Sequence, residues 1–318
     1  MESLRAAWPR RIIGLRVMLL VFAVVAGGGL ALAAGLSGAG AKGYSAYSDQ
    51  QKRVLSYLLS DKRNVEEFQR EFGVDDGKMQ EILGVIGEED SSFSREYDES
   101  EQIVESIRGA SETEIREKIS RSDFDEKVKQ AVGRTKSDVE ELLPESRADD
   151  LGPWVDEQWQ AETAEYRAQS EPTYQASSTG YTCKVWTTFY KGLTRYEVAL
   201  PHQKVKFSGG HRVRITPVSG GRRTRAPVKD TGPWNTRDNY WRASKDRSMW
   251  QNLPRCVPEA QAAFFDNYNR GKDQFGREVG NPAGMDITLA VARSMDVGKR
   301  IQRRGYIRVR VHYPWVGR

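Results

Sequence analysis

The stretch "RAPVKDTGPW", residues 225–234, joins a strand-like pattern to an abrupt Gly-Pro turn and indicates a β fold. Apolar and polar side chains alternate along its first half, as in a strand with one buried face. By this alternation Ala226, Val228 and Asp230 share one face, which places the acid on the apolar side just before the turn. An acid at the rim of an apolar core loses hydration, which raises its pKa and suits it to proton transfer.

The same alternation recurs in three other segments of the C-terminal half. In the last of them, Ile307 and Val309 lie on one face of a strand, and Arg308 and Arg310 on the other. The segments are "KVWTTFYK", "HRVRITPV" and "YIRVRVHY". Short strands separated by Gly-rich turns predict a small β-barrel, interrupted by one short helix in "DITLAVARSMDVG".

The N-terminus has the pattern of an export signal. Four arginines between positions 5 and 16 precede 20 uncharged residues, 17–36, and Ala39-Gly40-Ala41 follows as a small-residue cleavage pattern. The alternative is a permanent signal anchor, because about 20 apolar residues can also span a bilayer. In both cases residues 1–44 contact the membrane, and the remaining chain is secreted or anchored outside the cytoplasm.

Charge divides the exported chain into two parts of opposite sign. Residues 45–180 contain 17 Lys and Arg against 33 Asp and Glu, whereas residues 181–318 contain 27 against 10. Outside a cell, a basic part meets anionic wall polymers and membrane surfaces first. Nucleic acid is not predicted as a partner, because basic charge alone is no nucleic-acid-binding motif. Arg222, Arg223 and Arg225 are predicted to form a solvated positive face, with binding of wall phosphate or carboxylate as the alternative.

The chain contains two cysteines, Cys183 and Cys256, and three histidines. An exported chain permits a disulfide between the cysteines, but the sequence leaves their separation in space open. These cysteines and histidines are too few and too widely spaced to predict a metal site, and no motif predicts a cofactor.

Residues 45–145 are predicted to form an acidic helical domain, because apolar residues recur at spacings of three and four. Capping patterns predict helix starts at three places: Ser111 with Glu114, Ser137 with Glu140, and Asp98 with Glu101. Residues 146–180, with Pro, Ser, Thr and Gly near their end, are predicted to be a linker. A short helix carrying Trp154, Trp159 and Tyr166 is the alternative within it.

The order of motifs in residues 181–315 resembles the six-stranded double-psi β-barrel of the rare lipoprotein A and expansin families. In those families an Asp-x-Gly-Pro-aromatic run precedes a Gly-x-Asp-hydrophobic-Ser/Thr run that opens a helix, and a closing strand follows. The matching segments are "RAPVKDTGPW", "GMDITLAVARSMDVG" and "GYIRVRVHY". The implied fold class is α+β multidomain: the acidic helical region, then a double-psi barrel over residues 181–318 with a long insertion. The resemblance implies an extracellular domain that binds or cleaves cell-wall glycan such as peptidoglycan.

This resemblance makes Asp230 and Asp286 candidate catalytic residues. Asp230 matches a catalytic candidate of the lytic members, and Asp286 matches the acid on which wall-loosening expansins depend. Two carboxylates, one of them protonated, are the minimum equipment for cleaving a glycosidic bond. The lytic members also place a His shortly before the strand that corresponds to "HRVRITPV". His202 lies about two residues from that place, whereas His211 lies within the strand itself.

Structural roles compete with these chemical ones. Asp286 could cap the helix that begins near Thr288, and Asp230 could form a turn by accepting backbone N–H groups. His202 and His211 could be surface or rim residues.

A long insertion rich in aromatic residues separates the two motifs. Flat aromatic rings can stack on sugar rings while polar neighbours bond to hydroxyls, so the candidate glycan-binding residues are Trp234, Asn235, Arg237, Tyr240 and Trp250. An insertion of this length also needs a core of its own. Trp241 and Phe264 are therefore predicted to lie inside, with Trp234 or Trp250 at the groove.

Three functions remain open from the sequence. The first is an exported, wall-associated protein that binds or loosens cell-wall glycan, with anionic wall polymers as further partners. The second is a lytic transglycosylase that cleaves peptidoglycan strands with Asp230 as general acid. The third is a protein-interaction module of the cell envelope, in which the acidic helices bind a partner or the basic barrel. The displacement of His202 favours the first.

Overall fold

A closed six-stranded barrel with mixed parallel and antiparallel pairing is combined with a helical region in the computed structural model of the chain. The structure describes residues 45–48, 52–107, 109–170, 175–177, 180–190, 195–207 and 210–316. Residues 44–318 form one compact unit. The predicted signal or anchor segment lies outside the described residues. Within them, no helix is long and apolar enough to cross a membrane.

Six α-helices of the described part precede the barrel. They are α1 Val54–Leu59, α2 Lys62–Phe72, α3 Asp76–Ser106, α4 Glu112–Ser120, α5 Phe124–Leu142 and α6 Leu151–Ser170. Gly73 ends α2 in the left-handed conformation that favours glycine, with φ 64°. The side chain of Asp75 then begins α3 by accepting a hydrogen bond from the Lys78 backbone N–H at 2.8 Å.

One of the three predicted capping patterns is confirmed. The Ser111 side chain accepts from the backbone N–H of Glu114, and the Glu114 carboxylate accepts from that of Ser111 at 2.7 Å. The other two predictions are wrong, because both pairs lie in the interior of a longer helix, α3 or α5. The four-residue pattern marks a helix start only where the chain also breaks before it.

The predicted linker is wrong over most of its length, because helix α6 occupies it. Trp154, Trp159 and Tyr166 of α6 are each at most 6% exposed and belong to the apolar core of the helical region. Burial of an aromatic side chain contributes about 2 kcal/mol or more, which outweighs the weak loop signals of the segment.

The barrel strands come from the second half of the chain. They follow a short strand, β1 Gln175–Ser177, and are β2 Gly180–Phe189, β3 Val198–Leu200, β4 Arg212–Pro217, β5 Thr224–Thr231, β6 Ala283–Ile287 and β7 Tyr306–Tyr313. Their order around the barrel is β2-β6-β3-β5-β4-β7, and the pairing of β7 with β2 closes it. The pairs β2–β6 and β3–β5 are parallel, and the others are antiparallel. The four strands predicted from alternation are confirmed.

Short helices connect the strands or fill the insertion. They are α7 Gln203–Phe207, α8 Glu259–Asp266, α9 Leu289–Ser294 and α10 Gly298–Arg304. The barrel core holds the inward side chains of all six strands, such as Val185, Ile215 and Val309, each fully buried.

The helical region and the barrel are joined through the insertion, so the predicted division into separate domains at residues 146–180 is not observed. Trp234, Phe264 and Phe265 lie in the same apolar core as the helices α1 to α3, α5 and α6. Arg277 is fully buried and extends the contact: it donates to Asp273 at 2.6 Å and to the Ser100 hydroxyl of α3 at 3.2 Å.

Candidate functional site

Asp286 and Asp230 lie in one row across the barrel sheet. Asp286 of β6 pairs with Thr188 of β2 on one side and with Ala199 of β3 on the other. Ala199 pairs in turn with Asp230 of β5. Two interstrand spacings, about 9.5 Å between Cα atoms, therefore separate the two acids. Only the small side chain of Ala199 lies between them in the row.

A register shift puts Asp230 into this row. β3 and β5 pair Val198 with Val228 and then Ala199 with Asp230, so β5 has one extra residue, Lys229, at this point. Such a bulge interrupts the alternation of faces along a strand. Val228 belongs to the barrel core, whereas Ala199, the residue paired with Asp230, does not. The prediction that Asp230 shares the apolar face of Val228 is therefore wrong.

Asp286 lines a cavity between the barrel and the helical region. The cavity has a volume of about 280 Å³. Thr188, Tyr190 and Asn281 contribute hydroxyl and amide groups from the barrel side, and Tyr97 of α3 contributes a ring from the helical side. The walls thus combine a carboxyl group, hydrogen-bonding groups and aromatic surface.

Burial raises the pKa of Asp286 to about 7. The Thr188 hydroxyl donates a hydrogen bond to Asp286 Oδ1, which stabilises the charged form and opposes the rise. The negative charges of Glu101 and Asp230 add to it. Part of the Asp286 side chain is exposed at the cavity. At neutral pH this carboxyl group can therefore either donate or accept a hydrogen bond from a bound molecule.

Asp230 borders a second cavity, of about 380 Å³, between α3, α4 and the turn that follows β5. Its Oδ1 accepts a hydrogen bond from the Thr231 backbone N–H at 2.9 Å, as expected for a turn-forming acid. Gly232 has φ 135°, a conformation that essentially only glycine adopts. A Cβ atom at Gly232 would lie 4.0 Å from Asp286 Oδ2. The turn after β5 therefore brings the two sequence motifs together.

Asp286 does not cap the helix that follows it. Thr288 is the N-cap of α9, and its hydroxyl accepts from the Val291 backbone N–H at 3.4 Å. Asp286 lies two residues earlier, within β6. The alternative role of Asp286 as a helix cap is therefore excluded. Its carboxyl group lines the cavity instead.

His202 is not among the described residues that line either cavity. Its Nε2 is 3.0 Å from the Ser248 hydroxyl, and its ring contacts Trp241 edge-on. Burial lowers the pKa of His202 to about 4, and the positive charges of Lys204 and Arg237 act in the same direction. His202 is therefore neutral at pH 7. The structure does not bring it to the two acids as a catalytic partner, and His211 instead packs on Trp315.

The aromatic insertion contributes more to the core than to a binding surface. Tyr240 and Asn235 are 0% and 1% exposed, and Asn235 donates to Glu259 Oε2 at 2.7 Å. The prediction that they contact glycan is wrong, because packing of the insertion against the barrel buries them. Trp241 and Phe264 are buried, as predicted.

The other three candidates have different positions. Trp234 borders the Asp286 cavity but is only 2% exposed, and its ring contacts Tyr97 of α3. Trp250 is partly buried against Tyr268. Arg237 is exposed and pairs with Glu112 of α4 at 2.7 Å. An open stacking platform made of these residues is not present.

Sequence reasoning missed the groups that surround Asp286. Thr188 and Tyr190 belong to "TTFYKG", and their position beside Asp286 follows from the pairing of β2 with β6. Tyr97 comes from the acidic helical region, and nothing in its local sequence distinguishes it from a core aromatic.

Cys183 and Cys256 form a disulfide that ties β2 to the insertion. Among the described residues, no group of His, Cys, Asp and Glu side chains could hold a metal ion.

Comparison with known proteins adds one match. A family model described as a domain of unknown function (DUF8814) matches residues 187–310, which include both acids and the insertion but not the helical region. No curated protein and no solved structure matches the chain.

Proposed function

We propose that this chain binds cell-wall glycan in the cavity at Asp286 and acts as a wall-binding or wall-loosening protein outside the cytoplasm. The supporting observation is a partly exposed carboxyl group with a pKa near neutrality, placed among a threonine, a tyrosine and an asparagine. Sugars present closely spaced hydroxyls that both donate and accept hydrogen bonds. Groups that can do either are suited to such a ligand.

The size of the cavity limits what enters it. Pockets for small ligands typically measure about 300–1,000 Å³, so a volume of about 280 Å³ suits one sugar ring rather than several. A longer glycan would place one sugar unit beside Asp286, and the rest of the glycan would extend away from the cavity.

The resemblance of the two acid-containing motifs to rare lipoprotein A and expansins supports the glycan as ligand. The double-psi topology of those families is a more specific description than a closed six-stranded barrel, and it is part of this proposal. The closed six-stranded barrel with its two parallel pairs is compatible with it. The disulfide supports export, because disulfides persist mainly in oxidising compartments outside the cytoplasm.

Acid-catalysed cleavage is the second candidate, and the raised pKa of Asp286 favours it. In this version Asp286 rather than Asp230 is the general acid and protonates the oxygen of the leaving sugar. In a lytic transglycosylase the sugar's own hydroxyl replaces water as the nucleophile. Asp230, whose carboxylate bonds to the turn after β5, would keep the motif in place.

Incubation of the full chain with purified peptidoglycan distinguishes these functions. Binding is measured by co-sedimentation with the wall, and cleavage by analysis of soluble products for anhydro ends. Asp286→Asn should weaken binding severalfold if the chain only binds. It should lower the cleavage rate by about 10² to 10⁴ if Asp286 is the acid.

Asp246→Asn, at an exposed position of the insertion, is the matched control and should change neither quantity. Absence of both sedimentation and products would refute the proposal and favour a protein-interaction module.

A further inference from the structure

The outer face of three adjacent barrel strands carries a concentration of positive charge. Side chains of β4, β5 and β7 alternate between the barrel core and this face. The outward residues of these strands are Arg212, Arg214 and Thr216, then Arg225, Pro227 and Lys229, then Tyr306, Arg308, Arg310 and His312. None of these residues is an acid, and the one carboxylate that the bulge at Lys229 turns to the outer side, Asp230 at the end of β5, bonds to the turn that follows the strand. We call the exposed residues Arg212, Arg214, Arg223, Arg225 and Arg310 the cationic face.

The pairing register places like charges beside one another. Arg214 lies directly opposite Arg225 in β5 and opposite His312 in β7. Arg310 lies opposite Lys184 in β2 and Thr216 in β4. Like charges directly opposite each other destabilise a sheet. The fold thus retains an unfavourable arrangement that no packing requirement explains, because these side chains are outside the core.

The described part of the chain does not neutralise this face. None of the five arginines forms a salt bridge with a described carboxylate, whereas the adjacent Arg222 pairs with Asp296 at 2.7 Å. Arg214, Arg223 and Arg225 also line a shallow depression together with Thr224. The surface is therefore a solvent-accessible array of guanidinium groups.

The spacing of the array suits a chain of negative charges. Neighbouring strands are about 4.8 Å apart, and alternate residues along one strand are about 6.7 Å apart. Guanidinium groups bind phosphate oxygens through two parallel hydrogen bonds, so each arginine can bind one phosphate group.

We propose that the cationic face binds a linear polymer of phosphodiester groups without bases, such as a wall polymer of repeating polyol phosphate. The site is separate from the Asp286 cavity. Strand β4 is the third strand from β6 in either direction around the barrel, so the two sites lie on opposite sides of it. The inference depends on the proposed location outside the cytoplasm, but not on glycan binding at Asp286.

Two other polyanions fit this surface less well. Proteins that bind single-stranded nucleic acid stack the bases on aromatic rings. The rings among the outward residues of the three strands are those of Tyr306, which stacks on Tyr57 of the helical region, and of His312, whose Nδ1 is 3.1 Å from the Thr182 hydroxyl. Binding to a lipid surface usually adds apolar side chains that enter the bilayer, and the outward residues of β4 and β5 provide almost none.

Binding of the full chain to synthetic poly(glycerol phosphate) tests the proposal. The test variant is Arg214→Gln/Arg225→Gln. The matched control is Arg242→Gln/Lys245→Gln, which removes the same charge from exposed positions of the insertion. We expect the test variant to bind about tenfold more weakly at 0.1 M salt. The slope of log affinity against log salt should fall by about 1.4, as for two lost contacts to single-chain phosphates. The control should change affinity less than threefold.

Several outcomes would overturn the proposal. They are no binding of the polymer, an equal loss in both variants, or tighter binding of either competitor. The competitors are oligo(dT) with the same number of phosphates and vesicles of phosphatidylglycerol. Thermal midpoints no lower than that of the wild type will show that both variants are folded, and Arg310→Gln gives a second, single test. Asp286→Asn should bind the polymer normally, so failure at the glycan cavity is distinguishable from failure at this face.

Discussion

Asp230 and Asp286 pair with the same residue, Ala199, from opposite sides of strand β3. The sheet therefore fixes the spacing of the two acids, and their side chains do not have to adjust to meet. They differ in surroundings: Asp286 lines the cavity under α3, and Asp230 bonds to the turn that follows its own strand. Glycan binding, or acid-catalysed cleavage of a glycan, is therefore expected at Asp286 rather than at Asp230.

The raised pKa of Asp286 predicts a pH dependence of stability. Its folded pKa of about 7 lies above the unfolded value near 4, so the folded chain binds this proton more tightly between these values. The free energy of unfolding therefore falls as the pH rises from 4 to 7, by roughly 4 kcal/mol at most. Asp286→Asn should remove this loss, so that the variant is more stable than the parent at pH 8. Denaturant unfolding at pH 4.5 and 8 measures the difference, with Asp246→Asn as control.

His202 predicts the opposite slope. Its folded pKa of about 4 lies below the unfolded value near 6.5, so the unfolded chain binds the proton more tightly. This contribution to the free energy of unfolding is present above pH 6.5 and is lost as the pH falls towards 4, by roughly 3 kcal/mol at most. His202→Gln should reduce the loss. His211→Gln, at a partly exposed position, is the comparison variant. Equal behaviour of the two variants would contradict the burial of a neutral His202.

The disulfide should contribute strongly to stability, because Cys183 and Cys256 are 73 residues apart in sequence. Closing a loop of this length lowers the entropy of the unfolded chain and stabilises the fold by about 4 kcal/mol. Cys183→Ser/Cys256→Ser should lose an amount of this order in urea unfolding. Wild-type protein treated with a reductant provides the comparison, and a loss below about 1 kcal/mol would mean that the bond constrains little.

The barrel should not fold well without the helices. Trp234, Phe264 and Phe265 are buried against the helical region. Deleting the helical region would therefore expose a large apolar surface on the barrel part. We expect residues 181–318 alone to bind a hydrophobic dye and to unfold without a cooperative transition. Residues 44–318 should unfold in one transition. A stable, dye-free barrel fragment would show that the two regions are independent domains.

Neutralising one member of the Arg214–Arg225 pair should stabilise the protein. Relief of one directly opposed like-charge pair is worth about 0.5 kcal/mol. Arg225→Gln should therefore raise the thermal midpoint slightly at low salt, and the gain should shrink at 1 M salt because the repulsion is screened. Arg242→Gln is the control. A lower midpoint for Arg225→Gln at low salt would mean that Arg225 makes a stabilising contact.

Local sequence patterns determined the elements whose stability is local. Strand β7 follows from the strict alternation of Ile307, Val309 and Val311 with polar residues, because one buried face is enough to fix a strand. The start of α4 follows from Ser111 and Glu114, whose hydrogen bonds are made within four residues. The division into an acidic helical part and a basic barrel part also follows from composition.

The tertiary structure alone decided the features that depend on distant partners. The bulge at Lys229 depends on the pairing of β5 with β3, and it moves Asp230 from the predicted face. The pKa of Asp286 depends on burial and on Glu101, a residue of α3 far away in sequence. Tyr240 is in the core because the insertion folds back on the barrel, a long-range contact that no local pattern encodes. Hydrogen bonds within a turn of chain can be inferred from neighbouring residues, whereas burial and register are fixed only when the whole chain has packed.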